Sequence, residues 1–366
     1  MTVSDFQVEN YRSLKFVNFR LKRVNVVVGK NGSGKSNLYK ALKLLYCAAE
    51  GRLARTIAEE GGMSSALWAG PKGKGPVRMK LAVKIENGLK YELELGLPVP
   101  FEHMTPFLYD PLVKEERVSL LKDGNKTILL DRKAQAVHAR GIDGKRVTFP
   151  HDTTDSESVI SELREPHRFP ELSALRSEFL NWRFYHKFRT DEDSPLRKDQ
   201  VATRTMCLSH DGSDLVSAIK TINWVGDENL LTQSIDNAFP GAQLVLDLED
   251  ERRLNLGLQM PGFNRPFDVR ELSDGTLHYL CLLAALLSPR PAGLIALNEP
   301  EASVHPDLLS PLADLVARAS KFSQIWVITH SFDLAKLISE RCNVDPIELE
   351  KKDDGASKIR ANDYNA

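Results

Sequence analysis

The sequence predicts an α/β protein: a mostly parallel core sheet with helices, carrying an inserted antiparallel β lobe and a helical lobe. Three observations predict it. A β-rich run at residues 24–28 leads straight into a glycine-rich loop and then into apolar positions at helical spacing. The last third of the chain alternates helix-periodic and short strand-like runs, at 277–287, 294–297, 308–319, 325–329 and 332–340. Between these ends, Val77, Met79, Leu81, Val83 and Ile85 alternate up to Asn87-Gly88, and Leu89, Tyr91, Leu93 and Leu95 alternate on the return.

Taken in order, residues 6–8 and 24–28 are short strands. Leu38, Ala41, Leu42 and Leu45 give an amphipathic helix that begins at the loop and stops at Gly51. A glycine- and proline-rich connection follows at 61–76, and then the hairpin, whose Asn-Gly pair suits a tight I′ turn. Further strand runs surround Asp123-Gly124 and Asp143-Gly144, so 77–150 is an antiparallel lobe, and 156–181 is helical. Beyond a polar stretch at 190–204, helical spacing returns at Leu215, Ile219 and Ile222 and at Leu230, Leu231 and Ile235, followed by a strand pair. The expected organisation is a core made of residues 1–50 and 200–366, with 51–199 inserted.

The chain has 366 residues, more than one average domain, and its 42% apolar and 27% charged content is that of a globular protein. With a formal net charge of -1 there is no overall basic excess, so any contact with DNA must come from a local patch. Cys47, Cys207, Cys281 and Cys342 are far apart and lack zinc-site spacing, which argues against disulfides and zinc. The first residues contain no apolar secretion segment and no stretch is long enough to span a bilayer, so the cytoplasm is expected and a membrane partner is not.

Gly29-Lys30-Asn31-Gly32-Ser33-Gly34-Lys35-Ser36 fits G-x-x-x-x-G-K-[ST], the Walker A pattern, between a predicted strand and helix. Glycines let backbone amides turn inward around phosphate oxygens, and the helix N-terminus adds partial positive charge. Lys35 is then placed for the terminal phosphates and Ser36 for magnesium. Near the other end, residues 293–301 form a buried strand run ending in acidic groups, similar to a Walker B segment. Glu299 there can polarise an attacking water, while Asn298 stands where a metal-orienting carboxylate is usual. An amide can accept from a metal-bound water but brings no charge, so magnesium binding should weaken and hydrolysis should be slow.

Two more segments complete a pattern: Glu271-Leu272-Ser273-Asp274-Gly275-Thr276 at a predicted helix start, and Ile328-Thr329-His330-Ser331 at a predicted strand end. With Walker A, their order resembles the P-loop ABC-ATPase head, specifically the RecF, SMC and OLD-like branch in its short form, as does Asn10-Tyr11-Arg12-Ser13-Leu14. No long heptad insertion resembles that of SMC proteins, and no acidic nuclease module resembles that of OLD proteins.

The resemblance implies binding and hydrolysis of ATP with Mg2+, with Lys35, Glu299 and His330 as the catalytic set and Ser36 and Asn298 on the metal. It implies that Gly29, Asn31, Gly32, Ser33, Gly34, Lys35, Ser36 and Asn37, joined by Arg12 and Ser13, line the nucleotide. It also implies that Ser273 and Gly275 belong to a signature motif that meets ATP held by a second subunit, so an ATP-dependent homodimer is expected. His330 resembles the switch histidine and 302–306 the dimer-facing loop; Asp274 stands where glycine is commoner, and no Q-loop is assigned.

Residues 181–189 interleave aromatic and basic side chains and, with Arg197, Lys198 and Arg204, read either as a nucleic-acid surface or as an element with rings in the core and cations in water. Two functions stay open. One is an ATP-driven clamp on DNA or a partner protein, RecF-like, in repair or genome maintenance. The other is a sensor or regulatory subunit in an anti-phage or toxin-like system, controlling a separate effector with slow turnover. A transporter motor is disfavoured, because no membrane segment accompanies these motifs.

Overall fold

The valine-rich run before the glycine loop forms the strand Val24–Val28, with all five residues buried. It pairs in parallel with Gln324–Ile328, which pairs in parallel with Leu294–Asn298, which pairs in parallel with Arg183–Tyr185. Leu294–Asn298 and Gln324–Ile328 are likewise buried throughout, as parallel strands covered on both faces must be. The covering helices include Asp274–Leu286, Leu309–Ala319 and Phe332–Cys342. The first of these is buried from Leu277 to its end, so it runs through the core rather than over it.

The computed structural model describes residues 2–71, 73–98, 107–149, 154–249, 252–352 and 354–360. The chain divides into two compact units: 1–22, 29–182 and 347–366 form one, and 23–28 and 183–346 the other. The second unit holds the four parallel strands above and a small antiparallel sheet built on Gln243–Glu249 and Arg253–Gln259. Helices Leu215–Val225 and Glu228–Ala238 bury Leu215, Ile219, Ile222, Leu231 and Ile235 in its core.

The first unit carries an eight-stranded antiparallel sheet. Its order is Leu14–Arg20, Val3–Tyr11, Met79–Ile85, Leu89–Gly96, Leu112–Lys122, Asn125–Lys133, Ala136–Arg140 and Arg146–Phe149. The predicted alternation places Met79, Leu81, Val83, Ile85, Leu89, Tyr91, Leu93 and Leu95 in the core. Helix Lys35–Glu50 stops at Gly51, whose φ of 82° is the left-handed stop that glycine supplies. A separate hairpin joins Ile347–Lys351 to Ser357–Ile359.

Two expectations need correction. The turn at Asn87-Gly88 is not type I′: only Gly88 has positive φ, its amide donates to the Ile85 carbonyl, and the loop spans three residues with Gly88 as the left-handed bulge. Both central residues are left-handed instead at Asp123-Gly124, φ 53° and 77°, where Lys122 pairs with Asn125. The helix expected over 156–181 is two helices, Val159–Glu162 and Pro170–Leu180. Pro166 disfavours helical backbone at Glu165, and Pro170 opens the second helix at its first turn. Among the described residues, no helix is long and apolar enough to cross a membrane.

Candidate nucleotide site

In the first unit, the glycine loop is shaped by two left-handed residues, Gly32 at φ 79° and Gly34 at φ 100°, the latter capping helix Lys35–Glu50. Its first helical residue, Lys35, is buried, and its ammonium donates to the carbonyls of Gly29 and, at 3.0 Å, Lys30. The ammonium thus rests on the loop's own backbone. Ser33 is buried with its hydroxyl lacking a hydrogen-bond partner, whereas Asn31, Gly32 and Ser36 are exposed. A loop with left-handed glycines, an orphaned hydroxyl, an inward lysine and an exposed serine at the helix start fits a phosphate chain with magnesium.

Ser13 and Asn37 meet: the Asn37 amide donates to Ser13 Oγ at 2.9 Å, and Ser13 Oγ lies 2.9 Å from Ser357 Oγ. Sequence reasoning missed Ser357, which no local signal marks. Gly34 packs on Ser13 and Ser357 and Gly29 on the Leu349 carbonyl, so closely that a Cβ at either glycine would collide. Arg12, left-handed at φ 50°, turns its guanidinium to Glu60, with Nη2 2.9 Å from Oε2. Tyr11 also donates to that oxygen, at 2.7 Å, and burial with the Glu60 charge pushes its phenol far above the ordinary range.

In the second unit, Asn298 ends its strand only 2% exposed; its Nδ2 donates to His186 Nδ1 at 2.6 Å and its Oδ1 is buried without a partner. That orphaned acceptor suits a donor from a hydrated cation. Glu299 follows with φ 54°, its amide held by the Ile328 carbonyl at 2.7 Å. A non-glycine residue in this region is strained, and the strain turns the chain sharply at the strand end.

Glu301, at the end of the acidic segment, holds the turn at 329–331. Its Oε1 accepts from Thr329 Oγ1 at 2.5 Å, His330 N at 3.0 Å and Ser331 N at 3.2 Å, and lies 3.2 Å from His330 Nδ1. Its side chain is 7% exposed, that of His330 50%. His278 is buried nearby in chemistry if not in sequence: burial lowers its imidazole pKa, against the raising effects of the Pro300 backbone and the Glu301 charge.

Ser273 caps helix Asp274–Leu286, its Oγ accepting from Thr276 N at 3.2 Å. Gly275 lies against the Ser303 carbonyl, where an added Cβ would come within 2.5 Å. The approach to this helix is gripped by Arg197, which donates to the carbonyls of Thr190, Arg270 and Leu272 and to Asp274 Oδ1, at 2.8–2.9 Å. Asp274 therefore has a partner that glycine would lack.

Arg197 is thus spent on the fold and not offered to nucleic acid. Trp182, Phe184, Tyr185 and Phe188 are all buried, so 181–189 presents no stacking platform and the core reading of that segment holds.

A family model described as "AAA domain, putative AbiEii toxin, Type IV TA system" matches residues 24–335. Among solved structures, the chain is similar to an SMC head bound to the C-winged helix domain of ScpA, at 17% identity over 98% of each chain and a TM-score of 0.56. It is also similar to an SMC head domain with an extended coiled coil, bound to the C-terminal domain of ScpA derived from Pyrococcus furiosus. There the identity is 17%, over 98% of this chain and 96% of that one, with a TM-score of 0.51. No curated protein matches the sequence. At such identity the likeness speaks for the fold: an α/β P-loop-type ATPase fold resembling SMC and ABC-ATPase heads, with mixed sheet and helical lobes.

Proposed function

The chain belongs to the family of AAA domains described as putative AbiEii toxins of type IV toxin–antitoxin systems, and from that membership we propose that it is a nucleotide-controlled regulatory ATPase of a toxin-like or anti-phage system, acting on a separate effector. The observation that carries the nucleotide reading is the loop at 29–36, with two left-handed glycines and a buried lysine already facing inward.

In this reading the amides of 32–36 and Lys35 bind the phosphates, and Ser36 supplies a hydroxyl to magnesium, which neutralises phosphate charge when bound. Asn298 accepts from the metal's hydration shell through its free oxygen. Glu299 orients the attacking water, and His330 contacts the terminal phosphate. Ser273 and Gly275 serve the nucleotide of a second copy, so ATP closes a homodimer. Because Asn298 is uncharged, it would hold the metal's hydration shell only loosely and turnover would be slow, which suits a protein whose nucleotide state, and not its flux, is the signal.

Lys35→Ala is expected to weaken ATP binding about tenfold or more by removing a charge-assisted contact; equal affinity by equilibrium binding would remove the loop from the phosphate site. The second reading is a RecF-like clamp on DNA, drawn from the signature-like segment at 271–276. Turnover measured with and without DNA separates the two: tight ATP binding, slow DNA-independent turnover and a co-purifying effector support the regulator, and stimulation by DNA supports the clamp.

A further inference from the structure

We infer that Glu301 is a positioning residue for His330: its buried carboxylate fixes which ring nitrogen faces the ligand and binds the switch turn to the acidic strand end. The inference rests on the ATPase reading for its consequence but not for its geometry. One oxygen, Oε1, gathers the Thr329 hydroxyl, the amides of His330 and Ser331 and the proximity of His330 Nδ1. Oε1 lies 3.2 Å from Nδ1, and because a carboxylate accepts, the arrangement favours the tautomer with the proton on Nδ1 and Nε2 turned to a ligand.

The environment makes this arrangement stiff. Glu301 is packed away, at 7% side-chain exposure, while the imidazole beside it is half in water. Thr329 and Ser331 reinforce the turn, the Ser331 amide also donating to Thr329 Oγ1 at 2.9 Å. The other carboxylate oxygen, Oε2, is buried without a hydrogen-bond partner. Glu299, by contrast, points its role elsewhere: its amide is fixed to Ile328 and its carboxylate follows a left-handed turn.

A brace alone would need only an acceptor oxygen, which glutamine keeps; positioning through charge needs the carboxylate. Glu301→Gln is therefore expected to leave ATP affinity near the wild-type value and to lower kcat about 10-fold to 100-fold, the range for carboxylates that orient a functional imidazole. The same substitution made on a His330→Ala background should cost nothing further, because the two act as one unit. A Glu301→Gln enzyme with unchanged kcat, or a full additional loss in the double variant, overturns the proposal.

Nitrogen NMR of the nucleotide-free protein gives an arm independent of hydrolysis. The wild type should show His330 protonated at Nδ1 and Glu301→Ala, which removes the acceptor, a mixed or reversed tautomer; protonation at Nε2 alone in the wild type overturns the assignment. A wild type that binds no ATP would sink the ATPase reading while leaving this arm to decide the role of Glu301.

Discussion

Asn298 keeps a buried oxygen without a donor while its nitrogen is committed to His186. Leaving such an acceptor unpaired costs about 1–3 kcal/mol, which a donating water of a bound cation can recover. Asn298→Asp restores a charge at that place and is expected to raise ATP turnover several-fold and lower the Mg2+ concentration needed for it. A magnesium titration of phosphate release checks this, and an unchanged curve would detach the residue from the metal. At His278, burial holds the imidazole below its ordinary 6.5. The unfolded chain takes its proton at that value and the folded chain only at lower pH, so in between the unfolded state binds more protons. Stability is whole above the unfolded value and declines as pH falls from there toward the folded pKa. Urea melts across that range should show the decline, and His278→Gln should flatten it.

At the scale of elements, the glycine loop depends on a hairpin far along the chain. Ser13 and Ser357, separated by 344 residues, share a contact at 2.9 Å against Gly34. Gly34→Ala forces a Cβ into a left-handed residue at a cost of about 1–2 kcal/mol before the collision with Ser357 and Ser13 is counted. It is expected to lower Tm and abolish ATP binding, where Gly32→Ala, with open space around its Cβ, pays only the backbone cost. Calorimetry of the two variants distinguishes them. The loop and the buried strands were legible because each rests on neighbours in sequence: a glycine pattern, a run of β-branched residues, a helix stop. The turn at 86–88 was not, because Asn-Gly is compatible with several loops and pairing with adjacent strands selects one. Nor was the break near Pro166, since apolar spacing on either side of it keeps a helical period. Ser357 and Arg197 escaped for a different reason: their roles exist only through partners that the fold brings to them.

For the molecule as a whole, the signature-like helix start is exposed at Ser273 and Asp274, which leaves it accessible to the second copy proposed above. Glu299→Gln should slow hydrolysis and accumulate an ATP-dependent dimer; light scattering that stays monomeric at saturating ATP would remove the composite site. The contact of Gly275 with the Ser303 carbonyl has a mechanical meaning as well. With no room for even a methyl group, the helix start and the turn after the acidic strand are packed backbone against backbone. In the proposed nucleotide cycle the two are therefore expected to move together. Spin labels at the exposed positions Arg270 and Asp307 should therefore report one unchanging separation through the whole cycle, however far the block itself is carried.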